Sequence, residues 1–386
     1  MSEAYIVDVL RTAGGKRKGA LADVHPADLG ATVLDALVAR TGIDPAAVED
    51  VIAGCVTQAG EQAFAFARSM VLASGLPDSV PAVTIDRQCG SSQQAIQFAA
   101  QAVMSGTQDM VIAAGAESMT RVPMMSNFTL HGAAGIGNGP WPASIQKRYG
   151  VSEFSQFVGA QRIADKYGFT REDMDAYALR SHQRAAAAIT SGAFRQEIVP
   201  VLTGNGLFDT DEGVRHDASM EGMAGVKTLV EGGSLTAANA SQMTDGASAA
   251  LIVNERALKA HGLTPMARIH NLTVTAGDPV VMLEEPIRAT TRALERAGLK
   301  LDDIDLFEVN EAFACIPMAW LKATGADPDK TNVNGGAIAL GHPLGASGTK
   351  LMATMTHALR ARGKKWGLQT MCEGGGIANV TIIEML

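Results

Sequence analysis

Apolar and polar positions along this chain change their period several times, and each change marks an element. Alternation in AYIVDVL, residues 4–10, predicts an opening strand. HPADLGATVLDALVAR, 25–40, carries apolar residues at three- and four-residue spacing and predicts a helix. VEDVIAGCV, 48–56, reads as a short buried strand with a turn after it, ARSMVLASGL, 67–76, as a helix, and AVTI, 82–85, as a strand. SSQQAIQFAAQAVMSG, 91–106, has helical spacing and ends on Gly106, a C-terminal cap. DMVIAAGAESM, 109–119, supplies another apolar strand. Strands and helices alternate here, which favours an α/β layer with parallel pairing.

Between about Thr120 and Met243 the texture changes. HGAAGIGNGPWPASIQ, 131–146, is loop-like, whereas EDMDAYALRSHQRAAAAITSGAF, 172–194, is strongly helical with Gly192 near its end. This region reads as an insertion on the first half. Its glycine-rich stretch is not G-x-G-x-x-G, follows no clear strand and opens no helix, so it is a poor nucleotide-binding loop. The last third repeats the order of the first. MARIHNLTVTAG, 266–277, matches the opening strand and turn, and IDLFEVNEAFA, 304–314, a strand running into a helix. GLQTMCEGGGIANVTIIEML, 367–386, reads as two closing strands around a glycine bend. Two similar α/β halves packed together follow from that order; a single doubly wound domain with a cap is the alternative.

Composition narrows the function. With 47% apolar and 19% charged residues among 386, the chain can bury a large core. A net charge of −8 leaves no basic field for nucleic acid. The local basic stretch GGKRKG, 14–19, is either a solvated loop or a seat for an anionic small molecule. No apolar run is long enough to span a bilayer, and MSEAYIVDVL lacks the order of a signal peptide. Cys55, Cys89, Cys315 and Cys372 form no CxxC pair, which suits neither a structural metal site nor a disulfide framework. A reduced, cytoplasmic protein without a metal is the expectation.

Four places join reactive side chains to permissive glycines. In TIDRQCGSSQQAI, 84–96, Cys89 sits where a strand gives way to a helix, near free N–H groups and the positive end of the helix dipole. Both features favour a thiolate, and Gly90 lets a substrate approach; a packed free cysteine is the alternative. In NVNGGAIALGHPLGASG, 332–348, glycines surround His342, a residue able to take a proton from a thiol near neutral pH. Cys372 precedes three glycines in MCEGGGIANV, 371–380, a bend that can turn N–H groups toward one point as an oxyanion hole requires. In NEAFA, 310–314, Asn310 is an N-cap with room for a second role. Two cysteines, a histidine and an asparagine on separate loops make a coherent set for covalent acyl transfer.

At these residues the chain resembles the thiolase family over essentially its whole length. QCGSSQQAI is similar to the nucleophile block, NEAFA to the asparagine block, GGAIALGHPLGASG to the histidine block and CEGGG to the second cysteine block, in the family's order. NASQMTDGASAA, 239–250, resembles the coenzyme A loop. The resemblance implies an α/β thiolase fold, two duplicated halves stacked as α-β-α-β-α layers with an inserted loop domain. The halves would be residues 1–119 with 244–266, and 267–386; residues 120–243 would be the loop domain that binds CoA. It implies a homodimer or homotetramer, no bound cofactor, CoA and acyl-CoA as substrates, and neither nucleic-acid nor membrane partners.

It also implies roles. His342 would deprotonate Cys89, whose thiolate attacks the keto carbon of a 3-oxoacyl-CoA; Cys372 would protonate the departing acetyl-CoA enolate and then activate the incoming CoA thiol. His342 and a water on Asn310 would hold one oxyanion, and the N–H groups of Cys89 and Gly374 the other. Ser241 would touch pantetheine and Arg215 the nucleotide end of CoA, while Met282 and Phe313 fall where the family lines its acyl pocket. Two stretches depart from short-chain acetoacetyl thiolases: QFVGAQ, 156–161, stands where Met-Gly-x-Thr-Ala-Glu is usual, and Glu373 replaces a small or apolar residue. With CVTQAGEQ, 55–62, these are similar to actinobacterial thiolases of bulky, including steroid-derived, acyl chains. The expected activity is degradative thiolysis. The alternatives are a biosynthetic acetoacetyl-CoA thiolase, a ketoacyl synthase, which Cys372 argues against, and an inactive acyl-CoA-binding protein of the same fold.

Overall fold

The structure, a computed structural model, describes residues 2–229 and 231–386. Each half lays down its strands in one spatial order. From its outer edge inward the first half runs Ala82–Ile85, Asp50–Gly54, Met110–Glu117, Thr244–Val253 and Tyr5–Thr12. The second runs Leu306–Val309, Trp366–Glu373, Ile377–Met385 and Ala267–Ala276, and the isolated bridge of Thr331 on Phe307 occupies the place of its missing outer strand. The two meet where Tyr5 and Ile6 pair with Arg268 and Ala267. Pairing is mixed. The outer strands run parallel, as the alternation predicts, but Thr244–Val253 and Ile377–Met385 return antiparallel beside their neighbours.

Strand period builds the layers. In Asp50–Gly54, Val51 and Ala53 face an outer core with the helices Pro26–Thr41 and Phe66–Ala73, while Ile52 faces an inner one. Ile112 and Ala114 likewise point outward, Val111 and Ala113 inward. The inner core holds the helices Ser91–Ser105 and Ser347–Ala361, side by side between the two sheets. The second sheet's far face is covered by Pro286–Ala297 and Cys315–Thr324, where buried Trp320 donates its indole N–H to Thr290 at 2.8 Å. These are the expected α-β-α-β-α layers, in duplicated halves around a mixed-sheet sandwich.

Residues 120–243 carry the helices Gln156–Tyr167 and Arg171–Ser191, the latter opened by a capping box of Thr170 and Asp173. Gly192 closes that helix in the left-handed conformation (φ 74°), as Gly106 closes Ser91–Ser105. The stretch 131–146 is loop only in its middle: Ser126–Ala134 runs into it, with Gly135 as left-handed cap, and Ala143–Tyr149 starts inside it. The glycines and prolines that read as loop are helix stops and starts. A buried ion pair ties this region to the first half, Arg11 donating to Asp211 at 2.8 and 3.0 Å and to Glu197 at 2.6 Å.

Candidate active site

The equivalent helices Ser91–Ser105 and Ser347–Ala361 bring their N-terminal ends to one place. Before the first, Asp86 accepts the Gln88 N–H at 2.7 Å, Gln88 turns left-handed (φ 48°), and Ser91 donates to the Gln88 carbonyl at 2.6 Å. Cys89 sits in that turn, buried. A non-glycine residue in the left-handed region is a strained choice that surrounding contacts must hold. Here they hold Cys89 in the lining of a cavity of about 850 Å³, together with Gly374, Met282, Phe128, Trp141 and Phe157.

His342 precedes the second helix. Its backbone N–H is held by the Gln242 carbonyl at 3.0 Å and Thr244 Oγ1 at 3.1 Å. Gly341 makes that approach possible, because a Cβ there would fall 2.1 Å from Thr244 Oγ1 at a φ of 81°. The ring has a defined tautomer. Ser347 Oγ lies 2.5 Å from Nδ1 and donates its one proton to the Pro343 carbonyl at 2.8 Å. Nδ1 must therefore carry the hydrogen, leaving Nε2 with a lone pair. Nε2 faces the Asn310 amide at 3.5 Å, and Asn310 also donates toward the Cys372 sulfur. Asn310 caps no helix; the next one begins at Cys315 with Ala314 as its cap. Its Oδ1 is buried and has no hydrogen-bond partner among the described residues.

Burial sets the protonation of the free enzyme. It pushes the Cys89 thiol well above its ordinary value, with Cys372 and then Glu373 adding to the effect. Cys372 is pushed up to about 12, again by burial first, against the Asn310 hydrogen bond. Burial, then Lys350, pulls His342 down to about 3. The helix start that was expected to favour a thiolate is outweighed, since a dipole end contributes about 1 kcal/mol and removal from water costs a charge more. The resting pair is a neutral thiol and a neutral imidazole.

The remaining sequence candidates fall at different distances from this centre. The 239–241 segment runs beside 312–314, with the Ser241 N–H on the Ala312 carbonyl at 2.9 Å, so Ser241 adjoins the asparagine block. Phe313 is buried edge-to-face on Phe157 at 5.7 Å, behind the pocket wall, and Met282 is in the wall. Arg215 is exposed; its N–H donates to His182. Sequence reasoning missed the Ser347 contact, although Ser347 stands inside the histidine block. It also missed Glu311, which accepts from Ser181, Tyr177, Asn332 and the Ile338 N–H, and Glu117, which accepts from the Gly345 N–H across the halves.

Residues 4–256 match the thiolase N-terminal domain family and 263–385 the thiolase C-terminal domain family. The steroid 3-ketoacyl-CoA thiolase FadA6 of Mycobacterium tuberculosis is 57% identical, covering 100% of this chain and 95% of that protein. A 3-ketoacyl-CoA thiolase of Bacillus subtilis is 41% identical over the full length of both. The crystal structure of the Bacillus anthracis acetyl-CoA acetyltransferase superposes with a TM-score of 0.91 at 35% identity, covering 100% of this chain and 99% of that one.

Proposed function

We propose a substrate and a division of labour for this chain, which belongs to the thiolase family and catalyses thiolase-type cleavage of 3-oxoacyl-CoA. The proposed substrate is a 3-oxoacyl-CoA with a bulky acyl group of steroid-derived type. The observation that carries this is the cavity of about 850 Å³ opening on Cys89, walled by Phe128, Trp141, Phe154 and Phe157. An acetyl group would leave most of that apolar wall unfilled, whereas fused rings would bury against it at about 25 cal/mol per Å². The 57% identity to a steroid thiolase supports the same reading.

In the proposed cycle the substrate's 3-oxo oxygen settles on the N–H groups of Cys89 and Gly374. His342 Nε2, held as the acceptor by Ser347, takes the Cys89 proton as the sulfur adds to the keto carbon. Developing negative charge then moves onto an oxygen in the oxyanion hole, which is why a buried neutral pair suits the free enzyme. The C2–C3 bond breaks, and the enolate oxygen of acetyl-CoA is stabilised by His342 and a water on Asn310. Cys372 protonates the enolate carbon, then takes the proton of the incoming CoA thiol, whose sulfur releases the acyl group from Cys89. Residues 120–243 are the CoA-binding loop domain in this reading, with Ser241 on pantetheine and Arg215 at the nucleotide end. Residues 1–119 with 244–266, and 267–386, are the halves.

A homodimer, or a tetramer built from dimers, is part of the proposal. The strand Ala82–Ile85 is paired on one side only, and Val83, Phe64 and Leu72 around it are exposed, Phe64 by 94%. Sheet edges of that kind are normally covered. No helix among the described residues is long and apolar enough to cross a membrane; the four free cysteines support the reducing cytoplasm as the place of action. The test is a series of 3-oxoacyl-CoA esters of rising bulk. kcat/KM is expected to rise at least tenfold from acetoacetyl-CoA to a ring-bearing ester, and a preference for acetoacetyl-CoA overturns the substrate.

A further inference from the structure

Glu373 ends the Trp366–Glu373 strand one residue beyond Cys372, fully buried, and neither carboxyl oxygen has a hydrogen-bond partner among the described residues. It lies directly on Gly90. A Cβ at Gly90 would fall 1.9 Å from Glu373 Oε1 and 3.0 Å from Asn379 Nδ2, so the two side chains meet over that one Cα. Asn379 donates to the Gly90 carbonyl at 3.2 Å, the same carbonyl that accepts the Gln94 N–H at 2.8 Å in the first turn of the helix. Asn379 Oδ1 has no partner either.

Three buried oxygens with no donor among the described residues thus belong to the two side chains that crowd Gly90, the residue after Cys89. A carboxylate in this place would carry its charge with neither a hydrogen bond nor an ion pair among the described residues, an arrangement folded proteins avoid. A carboxylic acid brings the missing donor, and Asn379 Oδ1, on the amide whose nitrogen crowds Gly90, is an acceptor still open to it. Burial holds the acid well above its ordinary range, Arg87 being the one opposing charge and Asp86 a reinforcing one.

We propose that Glu373 is a positioning residue that works in its protonated form, donating to Asn379 Oδ1 and so pinning the Asn379 amide on the Gly90 carbonyl and the Cys89 turn with it. This rests on the reading of Cys89 as the nucleophile. The charged and titratable groups facing Glu373 are Asp86, Arg87 and Cys89 on the turn, and Cys372 on its own strand. Loss of the proton removes the one donor and sets a negative charge behind a sulfur that must itself become negative. Cys89 reactivity should therefore lag as pH rises through the ionisation of Glu373.

The experiment compares the parent with Glu373→Gln and Glu373→Ala by iodoacetamide alkylation, locating the label by peptide mass spectrometry. Gln keeps a neutral donor of the same shape; at pH 7 its Cys89 is expected to react within twofold of the parent. Between pH 7 and 10 the ratio of Gln variant to parent should rise at least threefold, a change that a filler role would not produce. The Ala variant should react at least tenfold more slowly at pH 7. A Gln variant tenfold slower at pH 7, or a ratio flat with pH, overturns the proposal even if the Ala protein fails to fold. A label on Cys372 with Cys89 untouched overturns instead the nucleophile reading beneath it.

Discussion

Glu117 and Glu373 occupy the same place in the two halves, each the last residue of an eight-residue strand between a parallel neighbour and the antiparallel returning strand, and their surroundings are opposite. Each reaches the start of the other half's central helix: Glu117 accepts from Gly345, and Glu373 lies on Gly90. Glu117 further accepts from the N–H groups of Val56 and Thr57 and from Gln62, at 2.9 to 3.0 Å. Glu373 accepts nothing. The reason lies in the loop after the neighbouring strand. In the first half that loop, 55–57, gives its N–H groups to Glu117. In the second half the register places residues 311–313 there, and the Ala312 N–H, together with the Asn310 side chain one residue before that loop, hydrogen-bonds toward Cys372 instead. One copy of the loop braces the fold, and the other, on the proposed roles, serves the chemistry.

The largest effects test that division at the cysteines. Cys89→Ala should lower thiolysis by at least about 10³-fold, since in the proposed cycle Cys89 alone carries the acyl group. Cys372→Ala should lower turnover comparably yet leave single-turnover acylation of Cys89 measurable by intact-protein mass spectrometry. If both variants lose acylation equally, the two sulfurs do not divide the work as the halves do.

Next comes the braced half. Glu117→Ala strands three buried backbone N–H groups, each costing about 1–3 kcal/mol, so urea denaturation should show a loss of roughly 4 kcal/mol. The loop after His342 loses its tether as well, and kcat should fall with little change in KM. Unchanged stability in this variant would remove the contrast with Glu373.

How much of this was readable along the chain follows from the range of the contacts. Helices with regular spacing and a glycine stop, such as 91–105 ending at Gly106, were legible because their signals are local. The blocks around Cys89, Asn310, His342 and Cys372 also stand out along the chain, through glycines next to reactive side chains. The helices at 126–134 and 143–149, neither of which buries a residue, were hidden by Gly132, Gly135 and Pro142, which read as loop but stand inside, after and before short helices. The reach of Glu117 to Gly345 has no local trace. Burial reverses the thiolate expected at Cys89 for the same reason: the residues that dry the site come from both halves.

The smallest effect isolates the bare carboxyl. Glu373 has a folded pKa raised above its unfolded value near 4.3, so its contribution to stability is fully present below that value and is lost as pH rises toward the folded pKa. A glutamine has no such proton to hold. Glu373→Gln should therefore match the parent in stability at pH 4 and gain on it above, by about 1 kcal/mol between pH 5 and 6, within the limit of ~1.4 kcal/mol per unit that one proton allows. Glu117 is raised as well, by burial against its four donors, and titrates in both proteins, so it cancels from the difference. A gap constant with pH, read from urea midpoints, would mean that Glu373 has found in solution the donors that Glu117 has, and the two halves would differ less than their loops suggest.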